Sequence, residues 1–193
     1  LCYYAPMHLH TLIIGGTGML KDASLSLASS TSVLTSVAST PRSLNALDAA
    51  LKGHSVRHHP LQLDWSKSDD FLKGLSSHIA QVGPPSLVVA WLHNDQFGVE
   101  VARLCGSKTT PCDFFQVRGS SAAAPHANAE TFAGQFKGIP NLEFHQIILG
   151  FMRTPTGSRW LRNAEISAGV LGAIQAPKPL SIVGVVEPWE DSP

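Results

Sequence analysis

The stretch Thr11-Leu12-Ile13-Ile14-Gly15-Gly16-Thr17-Gly18-Met19-Leu20 joins a short apolar run to three closely spaced glycines. Residues 12–14 are typical of a strand that is covered on both faces. Glycine lets the backbone turn sharply and approach a ligand closely, because it carries no Cβ. We expect a helix over residues 19–29 to follow, with its N-terminal amides and the positive end of its dipole directed at the turn.

A strand, a glycine turn and a helix in this order are typical of a site that binds the pyrophosphate of a dinucleotide. The spacing Gly15-x-x-Gly18-x-x-Lys21 lacks the third glycine of the usual fingerprint. The alternative is therefore a tight turn that binds no ligand. The strand–helix rhythm downstream favours the cofactor site, whose predicted contacts are Gly15, Gly16, Thr17, Gly18, Met19 and Leu20.

The rest of the chain alternates between strand and helix patterns. The predicted strands cover residues 12–14, 32–38, 55–63, 87–92, 113–117, 143–149 and 180–186, and the predicted helices cover 19–29, 41–51, 69–81, 97–104, 129–136 and 164–175. We expect Ser66 or Ser68 to cap the third helix and Asn163 the last, and residues 150–162 to form a loop. Such alternation is typical of a parallel sheet with helices on both faces, joined by right-handed crossovers. The predicted fold class is α/β, a Rossmann-type doubly wound parallel sheet of about seven strands in the order 3-2-1-4-5-6-7.

Length and composition limit the partners and the environment. The 193 residues fit one domain over residues 1–193, with 1–6 as a disordered or artefactual start and 187–193 as a tail. The formal net charge of zero gives no electrostatic case for nucleic acid or an anionic membrane as a partner. No apolar run approaches the roughly 18 residues that a membrane helix needs. Three cysteines, an odd number without zinc-ligand spacing, predict reduced thiols in a cytoplasmic protein.

Several short motifs resemble one enzyme superfamily. Gly-Gly-Thr-Gly-Met-Leu at 15–20, Asp64 after the third strand and Gly-Ser-Ser-Ala at 119–122 resemble the short-chain dehydrogenase/reductase superfamily. The sequences at 90–93 (Ala-Trp-Leu-His), 148–151 (Ile-Leu-Gly-Phe), 158–161 (Ser-Arg-Trp-Leu) and 165–167 (Glu-Ile-Ser) are similar to a small bacterial group of unknown substrate. The resemblance covers nearly the whole chain after Met7. It implies a nicotinamide dinucleotide cofactor and a small-molecule carbonyl substrate.

The chain departs from this family at the catalytic pair Tyr-x-x-x-Lys. Lys137 lies near the expected lysine position, but Ala133 stands four residues before it, and no tyrosine follows Tyr4. The resemblance assigns the role of general acid to that phenol. Without it, the usual hydride transfer has no proton donor. The resemblance therefore supports a cofactor site more strongly than an activity.

The end of the second strand bears on the choice between NADP and NAD. An acidic residue at this position would bind the 2′-hydroxyl of NAD, but Ser39, Thr40 and Arg42 stand there instead. Two hydroxyls and a guanidinium suit the 2′-phosphate of NADP; the alternatives are NAD and an exposed arginine at an ordinary helix start. The resemblance places Asp64 and Trp65 against the adenine. Otherwise Asp64 caps a turn and Trp65 packs.

Further candidate site residues lie at the ends of the fourth, fifth and sixth predicted strands. Trp91, Leu92 and His93 lie on the predicted ligand-binding rim, where His93 can bind ribose or act as an acid or base, or can simply be a polar residue at a strand end. The resemblance assigns the binding of the substrate carbonyl to a serine at position 120 or 121. Because the catalytic tyrosine is absent, a contact with nicotinamide or a role in the turn is favoured for Ser120 and Ser121. The resemblance also places nicotinamide near Gly150.

Charged residues outside the rim have weaker assignments. Arg153, Arg159 and Arg162 form either a lid over a phosphate or acidic substrate or a solvated loop. The cluster of His54, His58 and His59 has no partner at ligand spacing, so we expect a solvated face rather than a metal site.

Two hypotheses of function follow from the sequence. The first is an NADP(H)-binding reductase with non-standard proton delivery, in which His93 and Ser120 or Ser121 are catalytic. The second is a non-catalytic dinucleotide-binding redox sensor or regulatory protein. The missing tyrosine favours the second hypothesis, and the polar rim residues keep the first open. A homodimer is a further expectation from the resemblance.

Overall fold

The computed structural model describes residues 7–123 and 128–193. Its strands are β1 (His8–Ile14), β2 (Thr31–Ala38), β3 (Arg57–Gln62), β4 (Leu87–Trp91), β5 (Cys112–Arg118), β6 (Leu142–Leu149), β7 (Phe151–Thr154), β8 (Gly157–Trp160) and β9 (Leu180–Val183). Its helices are α1 (Lys21–Leu27), α2 (Pro41–Ala50), α3 (Ser68–Val82), α4 (Asp95–Cys105), α5 (Ala129–Gly134) and α6 (Asn163–Gln175). The expected start at residues 1–6, with Cys2, Tyr3 and Tyr4, lies outside the described residues.

A seven-stranded sheet has the order β3-β2-β1-β4-β5-β6-β9, and its neighbouring strands are parallel. The predicted fold class and strand order are confirmed; the seventh sheet strand is β9 because the chain first forms a separate antiparallel pair, β7 and β8. Ile14 is in register with both Val37 and Ala90. The carboxyl ends of β1, β2 and β4 therefore meet at one edge of the sheet.

Successive residues of β1 pack into two different cores, because side chains alternate between the faces of a strand. Leu12 lies in one apolar cluster with Phe71 of α3 and Val99 of α4. Ile13 lies in the other, with Leu27 of α1 and Val170 of α6. This double coverage explains why residues 12–14 of β1 and the whole of β4 are apolar. Across the described ranges, no helix combines the length and the apolar character that a bilayer crossing requires.

The first helix is shorter than the sequence predicts. Residues 16–20 form turns, and α1 begins at Lys21 rather than at residue 19. The Lys21 amide donates a 3.0 Å hydrogen bond to the Gly18 carbonyl, which closes the last of these turns. The amides that face the crevice therefore belong mainly to a loop and not to a long helix.

The predicted loop over residues 150–162 is wrong, because β7 and β8 form an antiparallel hairpin there. Phe151 is fully buried and exchanges two 2.9 Å backbone hydrogen bonds with Val185. Arg153 contacts Asp191 at 3.1 Å, so the expected tail is joined to the hairpin. Val185, which pairs with Phe151 of this hairpin, lies more than 30 residues later in the chain. Local sequence pattern therefore does not indicate the pairing.

Two predicted helix caps are also wrong. Lys67 precedes α3 and makes no side-chain capping bond, while Ser66 is bonded to Asp64. Arg162, not Asn163, is the N-cap of α6, and its amide donates a 2.8 Å bond to the Glu165 carboxylate. At α6, the Glu165 carboxylate in the first turn therefore makes the capping bond that was expected from Asn163.

Candidate functional site

The candidate site is the crevice at the carboxyl ends of β1, β4 and β5. The strand order reverses between β1 and β4, since β1 continues to β2 on one side and β4 continues to β5 on the other. Loops that leave neighbouring strands in opposite directions open a crevice at this point, where doubly wound folds bind ligands. The predicted site residues of the glycine turn and of the rim lie around it.

The three glycines of the turn have three different structural roles. Gly15 has φ of +80°, a left-handed conformation that favours glycine. A Cβ on Gly16 would lie 2.6 Å from Ser24 Oγ, whose hydroxyl donates a 2.8 Å hydrogen bond to the Gly16 carbonyl. A Cβ on Gly18 would meet no atom within 4 Å. Gly15 thus forms the turn, Gly16 packs it onto α1, and Gly18 leaves an open face toward the crevice.

A cavity of about 220 Å³, here called the glycine cavity, lies beside this turn. Its lining comes from the ends of β1 to β4 and comprises Ile14, Gly15, Thr17, Gly18, Val37, Ala38, Ser39, Thr40, Ser43, Leu63, Trp65, Phe71, Trp91 and His93. The structure thus brings together eight of the predicted cofactor contacts: Gly15, Thr17, Gly18, Ser39, Thr40, Trp65, Trp91 and His93. Ser43 was missed, although its place one helical turn after the predicted Ser39 and Thr40 was a usable signal. Arg42 is exposed on α2, next to this lining.

A second cavity of about 240 Å³, the hairpin cavity, is lined by Met19, Trp91, Gly119, Ser120, Leu149, Gly150, Trp160, Leu161 and Ile166. It contains the predicted residues Met19, Ser120 and Gly150. The Met19 carbonyl accepts a 2.9 Å hydrogen bond from Ser167 of α6, which fixes this end of the turn. A Cβ on Gly150 would lie 2.0 Å from the Val185 carbonyl oxygen, so close packing of the chain against itself requires this glycine.

The third cavity is the largest, about 810 Å³, and is called the arginine cavity here. It is lined by Trp91, Leu92, His93, Asn94, Asp95, Arg118, Gly119, Ser121, Ala122, Asn128, Thr131, Phe132 and Gln135. Arg118 Nε donates a 3.2 Å hydrogen bond to Asp95 Oδ1, its NH2 group also contacts Asp95, and its NH1 group donates a 2.9 Å bond to Gln146. The guanidinium carbon lies 4.1 Å from the centroid of Phe132. Sequence reasoning missed this largely buried cation; the signal was an arginine at the end of a predicted strand.

His93 lies between two indoles at the crevice. Its ring centroid is 5.4 Å from that of Trp65 and 5.1 Å from that of Trp91, with a nearly perpendicular 76° arrangement in the second pair. His93 lines the glycine and arginine cavities. Ser121 shares the arginine cavity with it, whereas Ser120 lines the hairpin cavity. Of the two predicted serines, only Ser121 therefore shares a cavity with His93.

Three predicted cofactor contacts have mainly structural surroundings. The Asp64 carboxylate accepts hydrogen bonds from the Ser66 amide at 3.0 Å and the Ser66 hydroxyl at 2.8 Å. The hydroxyl bond is the main cause that holds the pKa of Asp64 below its usual value. Leu20 is fully buried and Leu92 almost so, each within an apolar core cluster. These positions match the turn-forming alternative for Asp64 and core packing for the two leucines.

The arginines after β6 are paired with carboxylates. Arg159 donates hydrogen bonds of 2.8 and 2.7 Å to the two oxygens of Glu165. This pair, with a further bond from the Arg162 amide, lowers the pKa of Glu165 to about 2. Arg153 is likewise paired with Asp191. Two of the three arginines that were considered as a lid over a ligand therefore stabilise the hairpin through ion pairs. Near the expected catalytic pair, Ala133 lies in α5, and Lys137 follows the end of this helix.

The sequence matches no protein-family model, and the comparison with curated proteins gave no match. Solved structures match over nearly the whole chain. A short-chain type dehydrogenase/reductase from Mycobacterium marinum is similar with a TM-score of 0.71 and 14% identity, over 94% of this chain and 95% of that one. A short-chain dehydrogenase from Sphingobium yanoikuyae in complex with NADPH gives 0.69 and 13%, over 94% and 91%. A 7α-hydroxysteroid dehydrogenase complexed with NADH and 7-oxo glycochenodeoxycholic acid gives 0.70 and 11%, over 95% and 94%. The chain has the fold of these short-chain dehydrogenases.

Proposed function

We propose that this chain is a divergent, compact short-chain dehydrogenase/reductase that binds NADP(H). The observation that carries the proposal is the glycine cavity. Thr17 and Gly18 after β1, Ser39 after β2 and Trp65 after β3 converge there, and these residues come from three separate parts of the sequence. A turn that served packing alone would not need an open face at Gly18 or polar residues from a neighbouring strand end.

The polarity of the glycine cavity favours NADP over NAD. The hydroxyl residues Ser39, Thr40 and Ser43 line it, and its lining includes no carboxylate. A carboxylate would bond the free 2′-hydroxyl of NAD and repel a 2′-phosphate. Arg42 is exposed two residues after Thr40 and supplies the positive charge that a phosphate requires.

The second candidate function is a dinucleotide-binding sensor or regulatory protein without turnover. One observation favours it: Ser120 lies in the hairpin cavity with Gly150, while His93 borders the other two cavities. The reductase hypothesis instead requires a proton donor at the carbonyl, for which His93 with Ser121 is the remaining combination. NADPH consumption with a panel of aldehydes and ketones separates the two functions. A reductase loses this consumption in His93→Ala, whereas a sensor binds NADPH and shows no consumption with any carbonyl.

Binding is tested by titrating the protein with NADPH and NADH while following tryptophan fluorescence, since Trp65 and Trp91 line the cavity. Gly18→Val places a side chain on the open face and should weaken NADPH binding at least tenfold. Gly134→Val is the matched control, because a Cβ on Gly134 also meets no atom within 4 Å and this residue lies on α5, outside the lining of the glycine cavity. Absence of binding of both nucleotides at millimolar concentration would overturn the proposal.

The preference for NADP is tested separately with Arg42→Gln. Losing one charge-assisted contact to the 2′-phosphate should weaken NADPH binding about tenfold, or about 1.4 kcal/mol. NADH binding should not change. Arg57→Gln is the control, because it removes the same charge from an exposed position at the start of β3. Equal losses for NADPH and NADH would contradict the assignment of Arg42.

A further inference from the structure

Trp91 lies across the middle of the crevice. A Cβ on Gly15 would lie 3.2 Å from Trp91 Cβ and 3.4 Å from its Cδ1, so the near side of the indole rests on the glycine turn. A Cβ on Gly119 would lie 3.8 Å from Trp91 Cη2, at the far end of the ring. The indole therefore extends from the end of β1 to the end of β5.

In this position the Trp91 side chain separates two cavities. The glycine cavity and the hairpin cavity have one lining residue in common, which is Trp91. Their volumes of about 220 and 240 Å³ are each below the roughly 300 Å³ at which ligand pockets begin. Each is thus suited to part of a dinucleotide, and a complete dinucleotide must occupy both.

The surroundings of Trp91 leave the indole room to turn. Trp91 is partly exposed, and it also borders the arginine cavity of about 810 Å³. Gly119 carries no Cβ, and one placed there would only reach van der Waals distance from the ring. Turning away loses the edge-to-face contact with His93 at 5.1 Å and part of the packing of the indole against the apolar cluster that contains Ile13.

We propose that Trp91 is a specificity-determining partition: it leaves the glycine cavity open to an adenosine mononucleotide and must turn into the arginine cavity before a dinucleotide can bind. This inference rests on the proposed nucleotide site. A ligand that needs a minor conformation binds more weakly by the fraction of molecules in that conformation. The partition therefore lowers dinucleotide affinity and leaves mononucleotide affinity unaffected.

The test compares adenosine 2′,5′-bisphosphate with NADPH by isothermal titration calorimetry, for the wild type and Trp91→Ala. The substitution should strengthen NADPH binding, relative to bisphosphate binding, at least tenfold. Trp189→Ala is the matched control, because Trp189 is also a partly exposed tryptophan but lines none of the three cavities. It should change the NADPH affinity less than threefold.

Two results separate failure of this inference from failure of the proposed function. If both ligands bind and Trp91→Ala changes their affinities equally or not at all, the partition is overturned while the nucleotide site stands. If neither ligand binds the wild type or the variant, both are overturned. Trp91→Leu, which keeps apolar contact with the core, replaces the alanine variant if thermal unfolding shows that the latter is not folded, and the same outcomes apply to it.

Discussion

At the scale of single residues, Gly16 and Gly18 differ in what surrounds them. A Cβ on Gly16 would lie 2.6 Å from Ser24 Oγ and 2.7 Å from Ile13 Cγ2, whereas Gly18 has no atom within 4 Å. Gly16→Ala should therefore lower the free energy of unfolding by about 1–3 kcal/mol through overpacking. Gly18→Ala should change it by less than about 0.5 kcal/mol. Urea denaturation of both variants measures the difference, and equal losses would show that the turn is not packed as described.

Gly150 shows which property of a single residue cannot be predicted from the sequence. The resemblance placed Gly150 beside nicotinamide, and the residue does line the hairpin cavity. Its lack of a side chain, however, is required by the Val185 carbonyl, which lies 35 residues later in the chain. Strand ends can be predicted from local pattern, and Ser39 and Trp65, which the sequence predicts as cofactor contacts at two strand ends, line one cavity. A contact between distant segments leaves no local pattern.

At the scale of elements, one ion pair connects β5 to α4. The Arg118 side chain is 11% exposed and that of Asp95 is 47% exposed. Removing Asp95 leaves a buried cation without its counter-charge, whereas removing Arg118 leaves a carboxylate that water can solvate. Asp95→Ala should therefore destabilise the protein by about 2 kcal/mol, more than Arg118→Met, which keeps the packing on Phe132. A larger loss in Arg118→Met, measured by urea denaturation, would contradict this order.

A hydrogen-bonded chain links β1, β2 and α3 at the other end of the sheet. His10 Nδ1 lies 2.9 Å from the Gly83 carbonyl, which only accepts, so this nitrogen carries a proton. In neutral His10 the other nitrogen then accepts from the Thr35 hydroxyl at 2.9 Å, and Thr35 in turn accepts from His78 Nε2 at 2.8 Å. Every member of the chain is satisfied when both histidines are neutral.

Because these histidines are neutral in the hydrogen-bonded chain, we expect the free energy of unfolding to decrease as the pH falls. Burial is the main cause that lowers the pKa of His10, His59 and His78 below the usual 6.5, and the positive charge of Arg57 lowers those of His10 and His59 further. Below pH 6.5 the unfolded chain therefore binds protons that the folded chain does not, and the free energy of unfolding decreases as the pH falls toward the lowered values.

Urea midpoints at pH 7.5, 6.5 and 5.5 measure this dependence. His78→Gln keeps a donor to Thr35 and removes one titrating group, so the decrease between pH 6.5 and 5.5 should be smaller in this variant. A decrease in His78→Gln as large as that in the wild type would contradict the assignment of this pH dependence to His78.

At the scale of the whole molecule, β9 ends the sheet with one edge unpaired within the described residues. Leu180 and Ile182 on this strand are 40% and 48% exposed. Together with small residues of α6 they line a shallow cavity of about 570 Å³, to which Gly169, Gly172, Ala173 and Ala176 belong. An unpaired apolar edge beside a helix face of small residues is suited to close packing against another chain.

We therefore expect the protein to form a homodimer through β9 and α6. Size-exclusion chromatography with light scattering should give twice the chain mass of 20.6 kDa. Ile182→Lys places a charge on the edge and should weaken association at least tenfold, which shifts the mass toward that of one chain. Leu9→Lys is the control, because Leu9 is 69% exposed on β1, away from this edge. A dimer that persists in Ile182→Lys would locate the interface elsewhere, since two like charges at the centre of a paired edge oppose association.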